Sequence, residues 1–392
     1  MIMRTFSVRS GHVVEAALLA LALLAEARPC RAQTPPSPAP TAAPSPAPKP
    51  GEGIKLGATI FADFTLQDAP RVTDSDRSAV RKSEFEVRRA YLNLSGNVSD
   101  FFSFRVTPDV AARQTTTVSG LPADARVSSS LDGSLTIRLK YAFAQCAFDK
   151  FGGAGKSAWI RLGQQQTPYL DFMEGIYRYR FQGTLFVERQ GLLSSSDVGF
   201  SGHMNLPREY GDVHVGAYNG DTYTRAEANG QKAVQARVSL RPLPRHVLLK
   251  GLRVHTFVDR DSPVAGGARN RTTADLTFEH RHLNLGVDYV WAADRASGRP
   301  STTEVRSTGW SAWVNPRLGT GLEGLFRYDR YTPNRAVAGR KREVIAGVAC
   351  WFRVLRAPQA VAVVADYDGV DYDAVLARPA ERRWELKALL SF

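Results

Sequence analysis

The sequence is short of cysteine: Cys30, Cys146 and Cys350 are the only three in 392 residues. So few, so far apart, exclude a disulfide-dense secreted scaffold and give no metal-ligand spacing. Long apolar runs are scarcer still. Mean hydropathy is −0.25, and only residues 16–25 approach a membrane-helix pattern. That excludes a helical membrane protein. It does not exclude a β-barrel, whose strands need be apolar on one face only. Zinc-finger motifs, ribonucleoprotein motifs and basic helices are also missing. The net charge of +13 and pI near 9.8 therefore do not point to nucleic acid.

The N-terminus has the order of an export signal. Arg4, Arg9 and His12 precede the Ala/Leu run, and Pro29-Cys30-Arg31-Ala32 follow it. This predicts a signal peptide over residues 1–32, cleaved after Ala32. Lipid attachment at Cys30 is disfavoured, because Arg28 and Pro29 stand where small apolar residues are wanted. Residues 33–52 are rich in Pro, Ala and Ser; such a segment cannot bury a core and is expected to be a mobile linker. Residues 53–392 remain for one folded unit. In an exported protein, the basic charge suits an anion path or a surface facing lipopolysaccharide.

What the chain has in quantity is alternation. Its last eleven residues read R-R-W-E-L-K-A-L-L-S-F, with Trp384, Leu386, Ala388, Leu390 and Phe392 on one parity and Arg383, Glu385, Lys387 and Ser391 on the other. A period of two means a β-strand with one apolar and one polar face. About ten residues cross an outer membrane at a tilt. The pattern recurs at residues 54–65, 84–95, 102–107, 135–143, 158–163, 198–206, 211–219, 232–241, 250–258, 270–281, 283–291, 304–315, 319–331, 342–354 and 359–367. In the second run, Phe85 and Val87 oppose the parity of Ala90, Leu92 and Leu94, which predicts a bulge near Arg88. In the fourth, Leu135, Ile137, Leu139, Tyr141 and Phe143 are expected to point one way and Thr136, Arg138, Lys140 and Ala142 the other.

Long and short connections alternate between these runs, the longest being residues 167–196. About sixteen strands, long loops at one end and short turns at the other predict an all-β, transmembrane, antiparallel up-and-down barrel in an outer membrane. A soluble β-sandwich has no need of that rhythm.

Several short pieces resemble the phosphate- and polyphosphate-selective porins of Gram-negative outer membranes. They are Arg88-Arg89-Ala90, Phe102-Ser103-Phe104-Arg105, Leu162-Gly163-Gln164 with Thr167-Pro168-Tyr169, Glu188-Arg189, Asp197-Val198-Gly199 and Tyr218-Asn219-Gly220. The resemblance implies a homotrimeric, sixteen-stranded channel for small anionic solutes such as phosphate. It also implies a third loop that folds inward, and a terminal Phe392 read by the barrel-assembly machinery. Outer-membrane lipid and lipopolysaccharide would be its surroundings. The family often has a basic residue where this chain has Ser195-Ser196, and the arginine clustering of its loop is thin here. The expectation is a mild anion preference rather than a saturable phosphate filter.

If the apolar parity faces lipid, the other faces water, since an Arg or Lys facing lipid at mid-depth costs roughly 2–4 kcal/mol. Strands three to nine then point Arg105, Arg138, Lys140, Arg161, Arg237, Arg241 and Arg253 inward, with no inward carboxylate in the spans assigned. Strands ten to sixteen point Asp275, Glu279, Asp288, Glu323, Asp329, Glu343 and Glu385 inward, with Arg327, Arg383 and Lys387 among them. A basic wall would face an acidic one. Arg178, Arg180 and Arg189 of the third loop can add to the basic side, or simply pair with Asp171, Glu174 and Glu188.

The remaining candidates carry less. The acidic run at residues 366–373 surrounds Gly369 and offers oxygen ligands, but lacks the calcium-loop spacing and terminal Glu; it reads as a solvated loop. His280 and His282 flank a tight turn. Ser194 to Asp197 near His203 form no nucleophile elbow. No metal, cofactor or catalytic set is predicted. The competing reading is a barrel acting as an adhesin or surface enzyme through its outer loops, and no convergent Ser/His/Asp group supports it.

Overall fold

A computed structural model describes residues 53–117, 128–148, 157–225, 227, 229–296, 302–319, 321–352 and 360–392. The expected signal peptide and linker, and the Gly152-Gly153-Gly155 turn, lie outside the described residues. The strands are β1 (Lys55–Thr73), β2 (Ala79–Asn97), β3 (Phe102–Thr117), β4 (Ser128–Ala147), β5 (Trp159–Gln166), β6 (Ser196–Asn205), β7 (Gly211–Tyr218) and β8 (Ala233–Leu240). They continue as β9 (Leu252–Asp261), β10 (Ala268–His280), β11 (Leu283–Arg295), β12 (Val305–Pro316), β13 (Leu322–Thr332), β14 (Lys341–Phe352), β15 (Ala360–Tyr372) and β16 (Glu381–Ser391). Two helices, α1 (Leu170–Tyr177) and α2 (Phe186–Arg189), lie between β5 and β6.

Each strand pairs antiparallel with its sequence neighbour, and β1 pairs with β16 to close a sixteen-stranded barrel. Closure leaves no open edge, which is the condition for a sheet at membrane depth. The C-terminus takes part directly: Phe392 N–H donates to Ala58 O at 3.0 Å and Ala58 N–H to Phe392 O at 2.9 Å.

The packing is inverted relative to a soluble sheet. Leu56, Leu92, Ile137, Leu162, Phe200, Val254, Leu276, Phe326, Val348 and Leu390 are exposed on the outer parity, while Asp109, Arg237, Asp275, Thr277, Asp329 and Lys387 are buried on the inner one. Only a hydrocarbon surround makes that arrangement favourable, because these outer side chains have no partner in the protein and the inner polar groups do.

Local departures from strict alternation fix the inward set. Phe61 pairs with Arg89 and Ala62 with Val87, so Arg88 is the extra residue of a bulge. A second bulge was not foreseen. Thr107 pairs with Tyr141 and Pro108 with Leu139, which leaves Lys140 unmatched. Pro108 has no N–H for the ladder, and the register slips where it sits. Tyr141 and Phe143 therefore turn inward and are buried, against the outward direction expected from parity. Two expected loops are also strand. β1 and β2 extend to a turn at residues 74–78, and residues 366–372 belong to β15, with Asp366 and Asp368 buried on the inner parity. Alternation of Asp with Tyr and Val satisfies a water-facing wall as well as it would a loop.

Candidate functional site

Residues 167–195, between β5 and β6, make their contacts inside the barrel, and their sequence explains how. Helix α1 is apolar on one side: Leu170, Phe172, Met173, Ile176 and Tyr177 are all buried. These rings meet aromatic groups of the wall. Tyr169 packs on Phe257, Phe172 on His255, Tyr177 on Trp313, and Tyr179 and Phe181 on Trp351. Phe186 packs on Tyr331 and sits where a side chain at Gly309 would be: a Cβ there would lie 2.5 Å from the Phe186 ring. Glycine at that wall position is what admits the loop.

The polar fastening runs in both directions. Wall cations donate to loop carbonyls: Arg237 Nε to Pro168 O at 2.7 Å, Arg271 Nε to Leu192 O at 3.1 Å, Arg327 Nη1 to Thr184 O at 2.9 Å, and Lys387 Nζ to Gln182 O. Loop groups reach wall carboxylates in return. Arg178 lies 3.2 Å from Glu323, and the Tyr179 hydroxyl donates to Glu323 at 2.8 Å. Arg189 pairs with Glu343 and, at 2.9 Å, with Asp368. The Tyr169 hydroxyl donates to Asp275 at 2.9 Å.

This corrects the expected placement of two loop arginines. Arg178 and Arg189 do not add to the basic side; they neutralise carboxylates of β13, β14 and β15. Aromatic packing lays the loop on that wall, and the nearest countercharges are there. Arg237, also expected to line the lumen, is buried beneath the loop, paired with Asp212 and stacked 3.5 Å from the Phe172 ring centre. Arg253 pairs with Glu279 at 3.0 Å, and Arg241 meets only the exposed Glu209, at 3.8 Å.

The opposite wall, β2 to β5, keeps its charge. Arg105 donates to Asn93 at 2.8 Å and Thr107 at 3.1 Å and stacks on Tyr141. Lys140, projected inward by its bulge, lies over the rings of Tyr91 and Tyr141 at 4.6 and 5.2 Å. Arg161 donates to Gln145 and Gln166, and its guanidinium lies 3.8 Å from the Trp159 ring centre. Among the described residues, none of these three forms an ion pair. Arg138, two residues before Lys140, faces Asp109 across the β3–β4 ladder. Aromatic faces hold these cations in place without cancelling their charge.

The claim of no inward carboxylate on strands three to nine is overturned. Asp109 is fully buried and pairs with Arg89 at 2.6 Å. Asp212 takes Arg237 and, at 3.2 Å, His203. Asp259 and Asp261 are buried near the loop end of β9. Asp109 and the β9 pair lie beyond the spans that alternation assigned, because polar–polar stretches hide the ends of strands.

Facing the basic wall is the polar edge of the loop. Asp171 accepts from the Tyr141 hydroxyl at 2.8 Å. Arg180 pairs with Glu174 at 2.7 Å and with Glu188 at 3.7 Å. Burial raises the Glu174 pKa to about 8; Arg180 pulls it down, and the Glu188 and Asp171 carboxylates push it up. Burial opposes the Arg180 charge, but Glu188 and Glu174 outweigh it and raise its pKa. Arg180 thus belongs to the loop's acidic edge. Arg89, Tyr91 and Tyr223 complete the surroundings. Arg89 was legible as inward in the sequence, whereas nothing local marks Tyr223, which comes from the β7–β8 connection and approaches Asp109 at 3.5 Å. No group of three or more His, Cys, Asp or Glu suited to a metal occurs among the described residues.

The family model of the phosphate-selective porins O and P matches residues 54–238. The fold is similar to the anion-selective porin from Comamonas acidovorans, at 10% identity and TM-score 0.57, covering 87% of this chain and 99% of that one. It is also similar to the outer-membrane channel DcaP of Acinetobacter baumannii, at 12% identity and TM-score 0.52, over 88% and 99% of the two chains. Salmonella typhi OmpF, solved with daunomycin, gives 10% identity and TM-score 0.55 over 86% and 97%. No curated protein sequence matches.

Proposed function

We propose how selectivity arises in this chain, an outer-membrane diffusion channel whose residues 54–238 match the family model of the phosphate-selective porins O and P. Small anions pass along the β2–β5 wall, attracted by Arg105, Lys140 and Arg161, while Asp171, Glu174 and Glu188 of the inner loop stand opposite. The observation that carries this reading is the asymmetry of pairing. The three wall cations form no ion pair among the described residues, whereas the loop's Arg178 and Arg189 are tied to Glu323, Glu343 and Asp368. Unpaired charge beside low-dielectric walls focuses field lines and concentrates the counter-ion. The Asp171 and Glu188 carboxylates opposite, joined by Glu174 once it ionises near pH 8, limit that concentration, so the preference is mild, falls with salt, and includes phosphate without being confined to it.

The test is the reversal potential across a planar bilayer in a salt gradient. The wild type should prefer anions, and Arg105→Gln/Lys140→Gln/Arg161→Gln should lose most of that preference. Cation preference in the wild type, or an unchanged ratio in the variant, would reject this wall as the selectivity element.

The remaining parts of the reading follow from the family and the barrel. The chain is exported by residues 1–32 and carried through the linker at residues 33–52. It is folded by the assembly machinery through the strand ending at Phe392, and it forms a homotrimer. Long connections, including residues 221–231, face the medium, and the turn at Pro207–Glu209 faces the periplasm. Epitope tags on intact cells separate the two ends.

A further inference from the structure

The outer face of the barrel carries a polar feature that the channel does not use. At the long-connection end, Arg260 of β9 pairs in register with Asn270 of β10, Asn270 with Ala293 of β11, and Ala293 with Arg306 of β12. These four form one row across four strands. All lie on the outward parity, since Arg271, Ala292 and Ser307 beside them are buried inside. Two arginines thus stand at the ends of three interstrand steps, about 14 Å apart, with the small Asn270 and Ala293 between. Arg335 joins them: the β13–β14 connection folds back so that its N–H donates to Arg306 O at 2.8 Å. The result is a cleft of about 350 Å³ lined by Arg260, Arg306, Arg335, Trp291, Thr272 and Thr308.

Its chemistry and depth are specific. Arg260 and Arg335 form no ion pair among the described residues. Arg260 is held by the carbonyls of Asp259 and Arg271, each at 3.0 Å, and Arg306 meets only Glu304, in an exposed pair. The next row toward mid-membrane holds Val258, Thr272, Trp291 and Thr308. Beyond it comes a row of Thr256, Ala274, Tyr289 and Trp310, and past that the outward side chains are apolar and exposed, Val254, Leu276 and Val287. The cleft therefore sits at the boundary between lipid and water. An arginine costs only about 0–1 kcal/mol there, and an indole is at home. Guanidinium forks suit phosphate oxygens, with the hydroxyls of Thr272 and Thr308 on either side of Trp291, while the apolar outer strands below suit acyl chains.

We propose that this cleft binds the phosphorylated head group of a glycolipid in the leaflet faced by the long connections. The ligand lies against the outside of the barrel, so this site is independent of conduction.

The full chain in detergent, titrated with diphosphoryl lipid A and read by native mass spectrometry, tests it. The wild type should retain this lipid at least about tenfold more tightly than its dephosphorylated form. Arg260→Gln/Arg306→Gln/Arg335→Gln should lose about tenfold or more in affinity while single-channel conductance stays unchanged. Ala293→Trp, which fills the floor of the cleft and leaves every charge in place, should lose binding as well. Equal binding of both lipid forms by the wild type, or unchanged binding in either variant, would overturn the proposal. Displacement of the lipid by about 1 mM inorganic phosphate would do the same, by assigning the cleft to free phosphate.

Discussion

Two stretches of the barrel wall carry charge to opposite ends. From β8 to β16 the inward cations and carboxylates are mostly taken up. Arg237, Arg271, Arg327 and Lys387 hold loop carbonyls, and Glu323, Glu343 and Asp368 hold loop arginines. From β2 to β5, Arg105, Lys140 and Arg161 are braced by amide or hydroxyl oxygens or by aromatic rings and form no ion pair among the described residues. The difference teaches that an inward charge on a barrel strand is not by that fact a selectivity residue. Where the inner loop brings countercharges onto the wall, charge is paired; on the β2–β5 wall, which the loop meets through the Tyr141–Asp171 bond, Arg105, Lys140 and Arg161 form no ion pair among the described residues. Asp288 and Asp366, which form no ion pair among the described residues on the loop-covered side, show that the division is not complete.

The strongest way to break the comparison is to unfasten the loop. Arg189→Ala removes the partner that Glu343 and Asp368 share and leaves each with one looser pair, Lys341 at 3.3 Å and Arg383 at 3.3 Å, which should cost up to about 3 kcal/mol. It should lower the temperature at which the barrel loses its heat-modifiable gel mobility. Two less fully compensated carboxylates should also move selectivity toward cations, and an unchanged reversal potential would show that Lys341 and Arg383 suffice to neutralise them. Gly309→Val attacks that packing instead. The new side chain would occupy the place of the Phe186 ring and press on the Arg330 carbonyl, 2.7 Å from its Cβ, at a cost of about 1–3 kcal/mol. Channel recordings should become noisier, because the loop loses its seat, while the charges of the β2–β5 wall remain.

A pH titration sharpens the comparison from the solute side. Glu174 has its pKa raised to about 8 by burial, with Glu188 and Asp171 adding to the effect against Arg180. A carboxyl raised in the folded state keeps a proton that the unfolded chain has already lost. Stability should therefore fall as pH rises from the ordinary glutamate range toward about 8. Over the upper part of that window the loop edge gains negative charge, so anion preference should be greater at about pH 6 than at about pH 9. Glu174→Gln should flatten this profile; a profile that persists in the variant would place the titration elsewhere. The smallest effect belongs to Arg241→Ala. Its partner Glu209 is 79% exposed at 3.8 Å, and such pairs contribute within about 0.5 kcal/mol. Neither melting nor selectivity should change measurably.

The barrel itself was legible residue by residue. Alternation is a local property: a strand with water on one face and lipid on the other must change polarity at every step, so parity can be read from any ten residues without knowing their neighbours. The opposed parities of Phe85 and Val87 against Ala90 and Leu92 even located the bulge at Arg88. The bulge at Lys140 escaped, because Tyr141 and Phe143 are aromatic and suit either face, and its cause, Pro108, lies on another strand. The acidic run of β15 escaped for a related reason: its composition suits a loop and an inner wall equally.

What the sequence by itself determined is the order of strands, the side that meets lipid along most of them, and part of the inward charge, with Asp109, Asp212, Asp259 and Asp261 missed. It did not determine which of those charges act on a solute. Arg178 and Arg189 look as available in the sequence as Arg161 does. Their partners are 145 to 179 residues away, and only the closed barrel brings β13 to β15 beneath the loop. Pairing between distant residues depends on where the aromatic face of residues 169–186 finds rings and a glycine to pack on. That is a property of the assembled wall, and it decides which inward charges find a partner and which, like Arg105, Lys140 and Arg161, do not among the described residues.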